Sequence, residues 1–247
     1  MNIRSKLSEF SDATLARAVQ DIIEKRMLAL LKKLNLNDNL ILSGDIFSNV
    51  KLNLAIKGLG FKSVFVCPPM GDEGLAIGSA VLLNQVKYSH PLHINQSSIT
   101  SPSGIFSGSD TSDDDFNKFS NFIDVSATIN PPQKIAQILA DNLSVAIVNG
   151  KMEFGPRSLG HRSILHNAAN ASINDSLNKK LNRSEFMPFA LIMRIESAKN
   201  HLDSNNIEGI HKTAKFMIIS AKATPKFKEL CPAVVHVDGT YMPQLVD

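Results

Sequence analysis

The chain of 247 residues has no tryptophan, two tyrosines and two cysteines. Cys67 and Cys231 form neither a disulfide framework nor a C-x-x-C pair. That excludes a stapled secreted scaffold and points to a reducing compartment. No apolar run approaches the roughly 18 residues that a membrane-spanning helix requires. The opening MNIRSKLSEF lacks the apolar centre of a secretory signal. A large excess of one charge is missing too: 26 Lys and Arg stand against 23 Asp and Glu. Such a balance argues against nucleic acid or an anionic membrane as the partner. These absences imply a cytoplasmic globular protein, and 43% hydrophobic residues over this length suffice for a buried core.

Hydrophobic periodicity organises what is present. Ser11-Asp12 reads as a helix cap, and Leu15, Val19, Ile22, Ile23, Met27, Leu30, Leu31 and Leu34 follow at helical spacing, predicting one buried face. A short strand is expected at 40–43, a turn opened by Gly44 into a helix ending near Gly58 and Gly60, a strand at 63–67 and a small-residue helix to about Val86. This alternation is that of a layered α/β unit. From Ser89 to Asp115 the composition turns to Ser, Pro, Gly, Asn and Asp, as in a linker. His90 and His93 lack nearby ligand partners there, and Asp113–Asp115 suit the start of a helix. The second half predicts helices at 131–143 and 171–181. It predicts strands at 144–148, 163–166, 190–195, 216–220 and 234–237, with a polar loop over 197–211.

One segment concentrates polar chemistry: G-K-M-E-F-G-P-R-S-L-G-H-R-S, from Gly150 to Ser163. It follows a predicted strand, where ligand loops sit in open α/β sheets. Its glycines allow tight turns and close approach of backbone N–H groups to an anion. Lys151, Arg157 and Arg162 add positive charge, and guanidinium forks match phosphate or carboxylate oxygens. Glu153 can orient a cation or accept from a hydroxyl. A basic surface turn has the same composition. Lys179, Lys180 and Arg183 form a second basic group, which suits a helix C-terminus as well as a ligand. Ser43-Gly44 ends a strand before a helix, a place that can hold phosphate. Asp72 lies in a Gly-rich loop and fits a metal, a ribose hydroxyl or a helix cap.

Read together, these segments resemble the carbamoyltransferase family of nodulation and antibiotic biosynthesis. Residues 150–165, GKMEFGPRSLGHRSIL, are similar to its signature. LNRSEFMPFA from Leu181 and PAVVHVDGT from Pro232 are similar to later blocks, while LSGDIFSNVKLN from Leu42 and GDEGLAIGSA from Gly71 resemble upstream ones. The resemblance implies an α/β chain in two parts. Residues 1–100 would be the closing section of an actin-like (ASKHA) lobe, 101–124 a linker, and 125–247 a YrdC-like twisted α/β domain. It also implies carbamoyl adenylate formation from carbamoyl phosphate and ATP, with Mg2+, and transfer to a hydroxyl acceptor. The implied catalytic residues are Arg157, Arg162 and Arg183. Lys151, Glu153, Ser163, Ser43, Gly44 and Asn49 are implied at the ligands, and Asp72 at Fe(II) or another divalent metal.

The departures are specific. No His-x-x-x-His pair accompanies Asp72, Asp45 stands where the family has a second glycine, Phe47 where it has a small residue, and Leu191 where it has proline. A carboxylate at 45 repels phosphate. The expected activity is therefore that of a C-terminal portion working with a separate N-terminal carbamoyltransferase polypeptide. The alternative is a non-catalytic remnant or partner subunit with an exposed apolar face.

Overall fold

Ser11 caps the first helix, α1 (Asp12–Leu31), by accepting from the Thr14 N–H at 3.2 Å, as its position before the helical run predicts. The computed structural model describes residues 7–88, 105–110, 131–183, 189–201 and 209–247. Strand β1 (Asn39–Leu42) follows, then a 3-10 turn at Asp45–Ser48 and helix α2 (Val50–Lys57). Strand β2 (Ser63–Val66) pairs in parallel with β1, Leu40 opposite Val64, so this stretch is a βαβ unit. Helix α3 (Glu73–Tyr88) closes this section.

Helix α4 (Pro131–Ala140) precedes strands β3 (Val145–Val148) and β4 (Arg162–Leu165), an antiparallel pair with Val148 opposite Arg162. Helix α5 (Ile173–Lys180) leads to strand β5 (Leu191–Arg194) and helix α6 (Ile195–His201). Helix α7 (His211–Ala214), strand β6 (Ala221–Lys222) and helix α8 (Pro225–Leu230) follow. Strands β7 (Thr240–Tyr241) and β8 (Pro243–Val246) complete the described elements, pairing with β6 and β5. The result is mixed α/β, with two-stranded sheets among the described residues.

Three expectations change. Residues 216–220 are buried but form no strand: Met217 adopts a φ of 55°, which breaks an extended run. Residues 234–237 are not a strand either. Pro232 opens a 3-10 turn at Pro232–Val234, and the chain reverses where the His236 N–H donates to the Thr240 carbonyl at 2.7 Å. The polar stretch from 197 begins inside α6 rather than in a loop. The expected helix near Asp113, His90, His93 and residues 184–188 lie outside the described residues.

The main core draws on both halves. Leu52, Ile56, Val64 and Val66 pack in one cluster with Leu159, Phe216 and Ile218. Polar groups cross the same seam. Asn53 is fully buried, and its Nδ2 donates to the Phe47 and Ile218 carbonyls, both at 2.7 Å. Thr213 Oγ1 donates to the Val64 carbonyl at 2.8 Å. In contrast, much of the apolar stripe of α1 faces outward: Val19, Ile22 and Leu30 are exposed and Leu31 is buried.

Candidate functional site

The signature segment forms the connection between β3 and β4, a hairpin closed by the Asn149 N–H donating to the His161 carbonyl at 2.9 Å. It is not the strand-to-helix turn of an open α/β sheet. Gly150 (φ 52°) and Gly160 (φ 102°) occupy left-handed conformations at its two ends, where a Cβ would be strained. Inside the loop, Glu153 Oε1 accepts from the N–H groups of Leu159 (2.8 Å), His161 (2.7 Å) and Arg162 (3.1 Å). Burial alone would raise the Glu153 pKa, but these backbone donors outweigh it and hold the carboxyl below its ordinary range.

Arg162 is equally committed to the loop. Its Nη1 donates to the carbonyls of Asn149 (3.2 Å) and His161 (2.9 Å), and its Nη2 to that of Gly150 (2.9 Å). Ser163 Oγ accepts from the Gly160 N–H at 2.9 Å and meets Ser158 Oγ at 2.6 Å. The His161 ring stacks on Phe106 at 3.7 Å, and its Nδ1 donates to the Lys151 carbonyl at 2.7 Å. The Lys151 side chain is exposed. Motif composition pointed to Arg162, Glu153 and Ser163 as ligand groups; the structure gives them partners within the loop itself.

Arg157 differs. Its Nη2 donates to the Ser48 carbonyl at 3.3 Å, on the 3-10 turn of the first section, and its Nε is buried with no hydrogen-bond partner. Burial lowers its pKa from the usual guanidinium value. Arg183 lies elsewhere, with its guanidinium carbon 4.8 Å from the centre of the Phe189 ring. The three arginines therefore have separate partners.

A cavity of about 780 Å³ lies in the first section. Ser43, Gly44, Asp45 and Asp72 supply its polar lining; Met70, Leu75, Val81, Leu82 and Ile105 supply apolar wall. Its floor is set by β1 and β2, whose following residues are tied by the Gly44 N–H to the Met70 carbonyl at 2.8 Å. Asn49 is not part of the lining. Its Oδ1 caps α2 by accepting from the Leu52 N–H at 3.0 Å, and its Nδ2 donates to Gln20 at 2.7 Å. For an iron-type ion, no three His, Cys, Asp or Glu side chains converge among the described residues. Asp72 is exposed, so these residues do not fit a resident metal by themselves.

Two contributors escaped the sequence reading. Gln244, on β8, is buried and its Nε2 donates to the Leu159 carbonyl at 2.9 Å. Lys51 pairs with Asp238 at 3.0 Å, joining α2 to the turn before β7. Neither pairing leaves a local sequence signal, because the partners are 85 and 187 residues apart.

A family model described as the carbamoyltransferase N-terminus matches residues 2–81, and one described as the carbamoyltransferase C-terminus matches residues 136–247. An uncharacterised protein of Methanocaldococcus jannaschii is 31% identical over 240 residues, covering 97% of this chain and 44% of that protein. Nodulation protein U of Azorhizobium caulinodans is 30% identical over 215 residues, covering 86% of this chain and 35% of its own length. Nodulation protein NolNO of Sinorhizobium fredii is 28% identical over 239 residues, covering 94% and 34% respectively. The chain spans less than half the length of each of these relatives.

Proposed function

Since the chain belongs to the carbamoyltransferase family, we propose that it serves ATP-dependent carbamoyl transfer from carbamoyl phosphate to a hydroxyl acceptor. In this reading residues 1–100, which include the matched span 2–81, are the closing part of an actin-like lobe, and residues 125–247, which include the matched span 136–247, a YrdC-like domain. The signature loop takes the anionic donors, ATP entering with Mg2+. The cavity takes the acceptor. Its carboxylates, Asp45 and Asp72, disfavour a bare phosphate and favour hydroxyl donors, while its apolar wall accommodates hydrocarbon.

The observation that carries this reading is the contact between Arg157 and the Ser48 carbonyl. It seats the loop of one matched section against the turn beside the cavity of the other. A half-buried guanidinium with a spare N–H is suited to the charge that develops on a transferring phosphoryl oxygen. Lys151 and Arg183 act as flanking charge. Arg162, Glu153 and Ser163 keep the loop in shape.

The test is pyrophosphate release from MgATP by the full chain, with and without carbamoyl phosphate. Release should depend on carbamoyl phosphate and fall by about 100-fold or more in Arg157→Ala. Equal release by that variant removes the assignment, and no release by the unmodified chain removes catalysis by the chain alone.

Helix α3 favours a second reading, a partner module without turnover that works with a separate carbamoyltransferase polypeptide. Leu75, Leu82, Leu83 and Val86 are all more than 60% exposed. A contiguous exposed apolar face marks an interaction site, so this one should bind the dye ANS and promote association. Leu83→Lys/Val86→Lys, at positions outside the cavity lining, should lower dye fluorescence and the sedimentation coefficient at high concentration; unchanged values would show that the face is covered in solution.

A further inference from the structure

We propose that Glu153 is the positioning residue of the signature loop, holding the backbone at 159–162 so that Arg157 meets the turn beside the cavity. The three N–H groups of Leu159, His161 and Arg162 converge on one carboxylate oxygen. Amide donors converging in this way form a nest that requires an anion or a strong acceptor. These donors lie outside the cross-strand pairs that begin at Val148 and Arg162, apart from Arg162 at the edge. Glu153 is the acceptor the fold gives them.

Five carbonyls in and beside the loop are satisfied by other groups. Gln244 donates to the Leu159 carbonyl, Ser158 Oγ to the Arg162 carbonyl at 2.5 Å, and the Arg162 guanidinium to those of Asn149, Gly150 and His161. Acceptors and donors are thus served by separate sets of side chains, and removing Glu153 affects the N–H side alone. Leu159, held by this network, is buried in the main core. Arg157 lies two residues before it and reaches Ser48 from that anchored point. A displacement of about 1 Å at such a group can cost on the order of 100-fold in rate. Glu153 touches no substrate in this scheme; it acts through Arg157. The ligand part of the test rests on the function proposed above, whereas the backbone part does not.

The experiment compares the full chain with Glu153→Ala and Glu153→Gln by amide hydrogen exchange, and titrates each with MgATP and with carbamoyl phosphate. In Glu153→Ala, amides 159, 161 and 162 should exchange at least about tenfold faster, with β1, β2 and α2 unchanged. Ligand affinity should fall by about tenfold or more, and Glu153→Gln, which keeps an acceptor oxygen without the charge, should lie between. Unchanged exchange at the three amides overturns the proposal. So does equal loss of protection across the core in both variants, which marks a merely structural residue. So does loosened exchange with ligand affinity retained. If Glu153→Ala does not fold, Glu153→Gln decides by the same two readouts. If the unmodified chain binds neither ligand, the proposed function fails, and amide exchange alone judges Glu153.

Discussion

Asp238 shows how a side chain's neighbours set its chemistry. Its Oδ1 accepts from Thr240 Oγ1 at 2.7 Å and from the Thr240 N–H at 3.0 Å, and its Oδ2 faces Lys51. Burial pushes its pKa up, but Thr240 and Lys51 prevail and bring it down to about 2. A folded-state pKa below the unfolded one stabilises at neutral pH, and that contribution disappears as pH falls through about 2. Asp238→Asn should therefore lower the thermal midpoint at pH 7 and flatten its decline between about pH 4 and 2. The Asp238 side chain keeps 34% of its surface exposed and Lys51 more, so solvent screens the pair and the change stays within about 1 kcal/mol. Superimposable pH–melting curves for the two proteins would contradict this. His236 is pushed down chiefly by burial, while the Asp238 charge raises it, so Asp238→Asn also removes that upward pull on His236. The same dependence on neighbours explains the signature loop. Its motif identified Glu153, Arg157 and Arg162 together, but nothing local distinguishes Arg162, which serves three carbonyls, from Arg157, which reaches another section.

At the scale of elements, α3 contains two glycines with opposite constraints. A Cβ at Gly74 would lie 2.0 Å from the Pro69 carbonyl oxygen, a backbone atom that cannot swing away. A Cβ at Gly78 meets nothing within 4 Å. Gly74→Ala should destabilise by about 1–3 kcal/mol through forced displacement of the 69–74 loop. Gly78→Ala should stabilise by about 0.5–1 kcal/mol through helix propensity. Chemical denaturation of both variants checks the pair, and equal effects would mean that the helix start is not packed on Pro69. Both glycines were visible in the sequence, but their difference was not, because it depends on a neighbour across a loop. Periodicity placed α1, β1, β2, α3, β3 and β4 well. It failed at 216–220, where the apolar run is buried against α2 and satisfied by Asn53 and the Val50 carbonyl rather than by a strand partner.

Across the whole molecule, the two sections matched by separate family models share one core. Asn53, within residues 2–81, holds the Ile218 carbonyl of the other section. Asn53→Leu leaves the Phe47 and Ile218 carbonyls without that donor and should cost at least about 2 kcal/mol. Unfolding should remain a single transition reported equally by probes in both sections. Two separated transitions would show that the shared core does not couple them. Composition and period determined by themselves that this is an α/β chain with no membrane-crossing helix among the described residues, and motif order determined its family. Those properties are carried by local spacing and residue type. Tertiary structure decided that Arg157 spans to Ser48, that Arg162 and Glu153 look inward, and that Ser43 and Asp72 share a cavity. Arg157 depends on a carbonyl 109 residues away, Arg162 and Glu153 on how the loop between β3 and β4 closes, and the cavity on strands that meet only in the fold, and only the folded chain supplies that information.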